Sequence, residues 1–193
     1  TCFQDNSIKV FLSSGFGIFQ NPIRYSTGAH PMSIISNDFN DDRISDLLVI
    51  NLYDNTIGIL LGYGNGTFQN QRTFSTGYYP TSAASGDFNN DKHIDIAVVN
   101  QGENMLSIFL GYGNGSFKIG LIYTTDMKPS SIIAYDFNND TKLDLALANS
   151  GENTASFFIG NGDGSFTPSY KYIVFNKPSF ILSGDFNNDN KLD

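Results

Sequence analysis

A chain of 193 residues is long enough to bury a substantial core in one or two domains, and its 17 Phe, 10 Tyr and absence of Trp in a turn-rich background suit a folded β protein. The formal charge of −8, without any Lys/Arg cluster, argues against a nucleic-acid surface. No apolar run approaches the roughly 18–20 residues of a membrane span, and the single cysteine, Cys2, excludes an internal disulfide. The lack of an initiating Met or signal sequence suggests an excerpt of a longer protein.

Taken in order, the chain repeats itself every 49 residues without an insertion. Residues 1–30 read as the back part of a unit, because Asp5-Asn6-Ser7-Ile8 stands one repeat before Asp54-Asn55-Thr56-Ile57. Three complete units occupy 31–79, 80–128 and 129–177, and 178–193 opens a fourth. Each opens on Pro31, Pro80, Pro129 or Pro178, a residue tolerated at the start of a strand. A first strand such as 31–36 leads into an acidic loop. The apolar runs 46–51, 95–100 and 144–149, bounded by turn residues such as Asn51, Asn100 and Asn149, lead out as buried strands.

A turn containing Asp54-Asn55, Glu103-Asn104 or Glu152-Asn153 follows, then a third strand over 56–61, 106–110 or 155–159. A glycine turn closes each unit: Gly62, Gly64, Gly66; Gly111, Gly113, Gly115; Gly160, Gly162, Gly164. The spacing is wrong for a phosphate loop, so these glycines are expected to serve positive-φ positions in a hairpin. A weaker fourth strand, such as 72–76, ends the unit. Phenylalanines recur after the glycine turn (Phe19, Phe68, Phe117, Phe166) and second in the acidic loop (Phe39, Phe88, Phe137, Phe186), as expected of core pegs between units.

The acidic loops begin at Asp38, Asp87, Asp136 and Asp185, with oxygen-bearing side chains at positions one, three, five and nine. These are Asp38, Asn40, Asp42, Asp46; Asp87, Asn89, Asp91, Asp95; Asp136, Asn138, Asp140, Asp144; and Asp185, Asn187, Asp189, Asp193. One such loop is ordinary turn chemistry. Four in register, each crowding three carboxylates, point to a cation among them. Calcium suits the set, since it takes six to eight oxygens, and the position-seven carbonyls of Ile44, His93, Lys142 and Lys191 would add to the shell; magnesium wants a stricter octahedron. The twelfth positions, Val49, Val98 and Leu147, exclude an EF-hand, which needs Glu there. Twelve of the 19 acidic residues belong to these ligand sets, so four Ca²⁺ would neutralise the formal charge.

Four antiparallel strands per 49-residue unit are the pattern of β-propeller blades, and no shorter repeat supports a calcium β-helix. The Asp-Phe-Asn-Asn-Asp-x-x-x-Asp loop, the Gly-Tyr-Gly-Asn-Gly-Ser-Phe turn and Gly28-Ala29-His30-Pro31 together resemble the FG-GAP/VCBS repeat family, also seen in integrin α-subunit propellers. The resemblance spans essentially the whole chain. It implies an all-β, seven-bladed propeller of which this is a segment, calcium between the first and second strands of a blade, and an extracellular or cell-surface setting. The family loop usually carries Gly at positions four and six. Here Asp41, Asn90, Asn139 and Asn188, then Arg43, Lys92, Thr141 and Asn190, stand there, and the cations of Arg43 and Lys92 imply weaker binding than in the loop at Asp136.

Three functions compete. A non-catalytic calcium-stabilised propeller that recognises an extracellular protein or matrix ligand accounts for every recurring feature. A lectin would use Tyr53, Tyr63, Tyr78, Tyr79 and Tyr112 to stack on glycan rings, although Asn161 breaks the register of Tyr63 and Tyr112. An enzyme lacks support within the chain, because His30 and His93 share no repeat frame and no nucleophile accompanies them, which leaves an accessory propeller of a larger hydrolase. Sequons at Asn65, Asn114 and Asn139 arise by chance in so Asn-, Ser- and Thr-rich a chain, and Asn139 lies inside an acidic loop.

Overall fold

The computed structural model describes residues 1–189, 191 and 192; Asn190 and the fourth loop's ninth residue, Asp193, lie outside them. After a 3₁₀ turn at Phe3–Asp5, β1 (Ser7–Val10) pairs with β4 (Ile23–Ser26), and the short β2 (Ser13–Gly15) and β3 (Ile18–Phe19) extend the same hairpin. Three four-stranded antiparallel sheets follow. The first holds β5 (Pro31–Asn37), β6 (Asp46–Asn51), β7 (Thr56–Leu60) and β8 (Arg72–Ser75). The second holds β9 (Pro80–Gly86), β10 (Asp95–Asn100), β11 (Met105–Gly111) and β12 (Phe117–Thr124), and the third β13 (Pro129–Tyr135), β14 (Asp144–Asn149), β15 (Thr154–Gly160) and β16 (Phe166–Ile173). Each is a meander in chain order, the blade arrangement that the repeat implies.

The second strand of each sheet is sandwiched, which explains its unbroken apolar sequence. Along β10 the pleat sends Ile96 and Val98 to one side, against Phe39, Leu48, Ile57 and Ile59 of the first sheet. Ala97 and Val99 go to the other, against Ile132, Leu145 and Leu147 of the third. The core therefore lies between blades, and a single blade buries neither face alone. The residues bounding the second strands are strand ends, not the turn residues that the sequence suggested: Asp46, Asn51, Asp95, Asn100, Asp144 and Asn149 are fully buried. The Asn side chains donate to hydroxyls on the third strand, Thr56 for Asn51, Ser107 for Asn100, and Thr154 and Ser156 for Asn149.

The phenylalanine pegs form where the acidic loop of one sheet meets the hairpin of the next. Phe39 meets Phe117 edge-on at 6.0 Å, and Phe88 meets Phe166 at 5.4 Å. A third ring from the preceding outer strand completes each cluster: Phe74 on Phe117, and Tyr123 on Phe166, where the Tyr123 hydroxyl also accepts the Phe166 N–H at 2.8 Å. Phe19 and Phe186 depart from the expectation and are 61% and 70% exposed, while Phe137 packs on Tyr135 and Phe157 instead. The fourth strands of the second and third sheets are also longer than expected, eight residues each, because they run straight out of the peg at Phe117 or Phe166.

Candidate metal loops

In the first loop, backbone donors wind the chain around Asp38. Its Oδ1 accepts the N–H of Asn40 (3.3 Å) and Asp42 (3.2 Å), and its Oδ2 accepts that of Arg43 (2.6 Å). Asp42 N–H also donates to Asn40 Oδ1, Ile44 N–H to Asp42 Oδ1, and the Asn40 amide to Asp42 Oδ2 at 2.8 Å. Positions one, three and five are thereby drawn together. Apart from the position-three N–H to the position-one carboxylate, these bonds recur around Asp87, Asn89 and Asp91 with Lys92 and His93, and around Asp136, Asn138 and Asp140 with Thr141 and Lys142. In the fourth loop the bonds among positions one, three, five and seven return, around Asp185, Asn187, Asp189 and Lys191.

The ninth position behaves differently. Asp46 Oδ2 accepts the Phe39 N–H and its Oδ1 the Gly62 N–H. Asp95 does the same with Phe88 and Gly111, and Asp144 with Phe137 and Gly160. This carboxylate ties the loop to the hairpin of its own blade. Among the described residues no group of three or more His, Cys, Asp and Glu side chains is gathered into a metal cage. The donor chemistry nevertheless fits a hard cation, since oxygens that accept one N–H, such as Asp38 Oδ2, Asp42 Oδ1 and Asn40 Oδ1, keep a second lone pair.

The ninth-position carboxyls are also shifted. Burial pushes the Asp46, Asp95 and Asp144 carboxyls up from 3.8, Asp95 to about 6; two backbone N–H bonds oppose the rise and the charges at positions five and one add to it. The folded chain therefore holds the Asp95 proton more tightly than the unfolded chain does. With calcium chelated, stability should fall as pH rises from about 4 to about 6. Melting temperatures measured across that range should show this slope in the wild type and a flatter one in Asp95→Asn.

Positions four and six both take left-handed backbone: Asp41 (φ 60°), Asn90 (59°) and Asn139 (60°), then Arg43 (65°), Lys92 (73°) and Thr141 (70°). Asn and Asp tolerate this, whereas β-branched Thr141 is strained. Thr141→Gly should stabilise the protein by about 0.5–1 kcal/mol, the relieved strain exceeding the chain entropy of glycine, as a higher urea midpoint would show. The glycine turns divide by role. The second and third glycines have positive φ as expected, but Gly62, Gly111 and Gly160 do not. A Cβ on them would press into the carbonyl oxygen of Ser45, Ile94 or Leu143, so close approach demands them.

The FG-GAP-like repeat profile matches residues 38–98, 87–147 and 136–193. The chain belongs to the FG-GAP-like repeat family. No curated protein matches it significantly. Among solved structures, BBS1N in complex with ARL6DN aligns with TM-score 0.67 and 11% identity, over 98% of this chain and 54% of that one. A functionally unknown protein from Desulfotomaculum acetoxidans DSM 771 aligns with TM-score 0.61 and 15% identity, over 83% and 48%. The periplasmic gluconolactonase PpgL of Pseudomonas aeruginosa aligns with TM-score 0.61 and 15% identity, over 82% and 43%. The chain thus spans about half the length of the proteins it resembles in fold. At such identities the likeness is one of propeller architecture alone.

Within this FG-GAP-like frame, the tyrosines proposed for stacking do not form one site. Tyr63 and Tyr112 sit in hairpins closed by Tyr63 N–H to Thr67 O and Tyr112 N–H to Ser116 O. Tyr53 and Tyr79 join a ladder in which His30 stacks on Phe3 (4.7 Å) and Tyr53 (4.5 Å), and Tyr53 meets Tyr79 edge-on (6.4 Å). Sequence reasoning missed the clamp beneath it: Asn6, Asn55, Asn104 and Asn153 accept the N–H of the left-handed pre-proline residues His30, Tyr79, Lys128 and Lys177. Its signal was present as an Asn recurring every 49 residues. The Asp41–His93 contact between neighbouring loops was also missed, because neither residue recurs in register.

Proposed function

We propose that this chain is part of a calcium-stabilised, non-catalytic propeller that recognises proteins or matrix outside the cell or at its surface. One observation carries the reading: in successive acidic loops the position-five N–H bonds the side-chain oxygens of both position one and position three, and the position-three amide bonds the position-five carboxylate. Asp38, Asn40, Asp42, the Ile44 carbonyl and Asp46 would hold calcium in the first blade, with their counterparts doing so in the others. Millimolar extracellular calcium would keep such loops filled. Among the described residues no helix is long and apolar enough to cross a membrane.

Calorimetric titration of this chain with CaCl₂ should show one ion per intact loop and a melting temperature raised over that in chelator. The loop at Asp136 should bind more tightly than those containing Arg43 and Lys92. Absence of binding would remove the calcium reading, and failure of the full-length protein to bind any extracellular partner would count against recognition. A second reading, glycan binding, is favoured by the exposed ladder of Phe3, Tyr53 and Tyr79 around His30; a blank glycan array would dispose of it.

A further inference from the structure

We infer that the acidic loops of successive blades are coupled, with the His93 imidazole as the positioning contact through which the first loop tunes calcium binding in the second. The inference rests on the calcium reading above and concerns how its sites communicate. Asp41, at position four of the first loop, places Oδ2 2.5 Å from Nδ1 of His93, at position seven of the second. They meet over Gly113, where a Cβ would collide with both side chains. His93 is also the residue whose carbonyl would complete the second shell, and its N–H donates to Asp91 Oδ1, at position five of that loop. A contact to Asp41 therefore fixes two donors of the neighbouring site.

A second path runs in parallel. The Phe39 carbonyl of the first loop accepts the Gly115 N–H in the second blade's hairpin, and the Gly111 N–H at the base of that hairpin donates to Asp95, the ninth residue of the second loop. The third blade repeats this path: the Phe88 carbonyl accepts the Gly164 N–H, and the Gly160 N–H donates to Asp144. There the side-chain bridge is only a neutral bond from the Asn90 amide to the Gly162 carbonyl. Loops one and two are accordingly the more tightly linked pair.

The test is a CaCl₂ titration of this chain followed by backbone NMR, with the amides of Arg43, Lys92 and Thr141 reporting loops one, two and three. In the wild type all three should shift. His93→Ala should weaken binding in loop two by roughly two- to fivefold, the lower part of the range for one side-chain hydrogen bond, and in loop one by reciprocity, with loop three unchanged. His93→Gln, which keeps a donor for Asp41, should recover most of the loss. Simple electrostatics predicts the opposite sign, because an imidazole carries positive charge whenever it is protonated and its removal from an acidic cluster then strengthens calcium binding. Unchanged or tighter binding in loop two of His93→Ala overturns the coupling and leaves the calcium reading intact. A wild type that binds no calcium overturns both.

Discussion

Phe166→Ala should cost about 3–5 kcal/mol, read from urea unfolding in chelator so that metal plays no part. Phe166 is 4% exposed and lies in the core between the second and third sheets with Phe88, Leu145 and Phe158. Two rings, Phe88 and Tyr123, stand edge-on to it, and its N–H is held by the Tyr123 hydroxyl. Truncation leaves a cavity that rigid strands on both sides fill poorly, so the upper part of the range is expected. The same change at Phe19, with its ring 61% exposed, should move stability by no more than about 0.5 kcal/mol. Equal losses at both sites would mean that the inter-blade clusters do not hold the blades together.

Gly111→Ala should cost about 2–3 kcal/mol, the upper part of the range for forcing extra volume into a packed region. The added methyl has no flexible side chain to displace; it meets the Ile94 carbonyl, which belongs to the backbone leading out of the second acidic loop. Relief requires the hairpin to move away, and that stretches the Gly111 N–H bond to Asp95. The substitution should therefore also weaken calcium binding in the second loop, more than in the third. Loss of stability with unchanged calcium affinity would show that the hairpin and the loop are independent.

These two positions illustrate what could be read in advance. A recurring Phe was recognisable as a core peg because large apolar side chains repeat only where each unit meets the same neighbour, and Phe39, Phe88, Phe117 and Phe166 are pegs. Which copies pack fully depends on which sheets abut, and Phe137 meets rings of its own sheet, Tyr135 and Phe157. Gly111 was read as a left-handed turn residue because glycine is the usual occupant of such positions; its real constraint, the Ile94 carbonyl at the end of the acidic loop, is tertiary. Asp46, Asp95 and Asp144 drew attention as carboxylates in an acidic loop, yet their two bonds to backbone N–H groups link positions seven and sixteen residues apart.

The 49-residue period, the apolar runs of the second strands, the turn chemistry and the spacing of oxygen donors at positions one, three, five and nine are local properties, and the amino-acid order alone determined the blade and the candidate metal loops. The contacts between blades depended on tertiary structure. Asp41 and His93 lie 52 residues apart, in no common frame, and meet only because packing of one blade on the next carries their loops together. Periodicity reports what each unit shares. It is silent on contacts made by the residues that differ, because those are selected by the surface of a neighbouring blade.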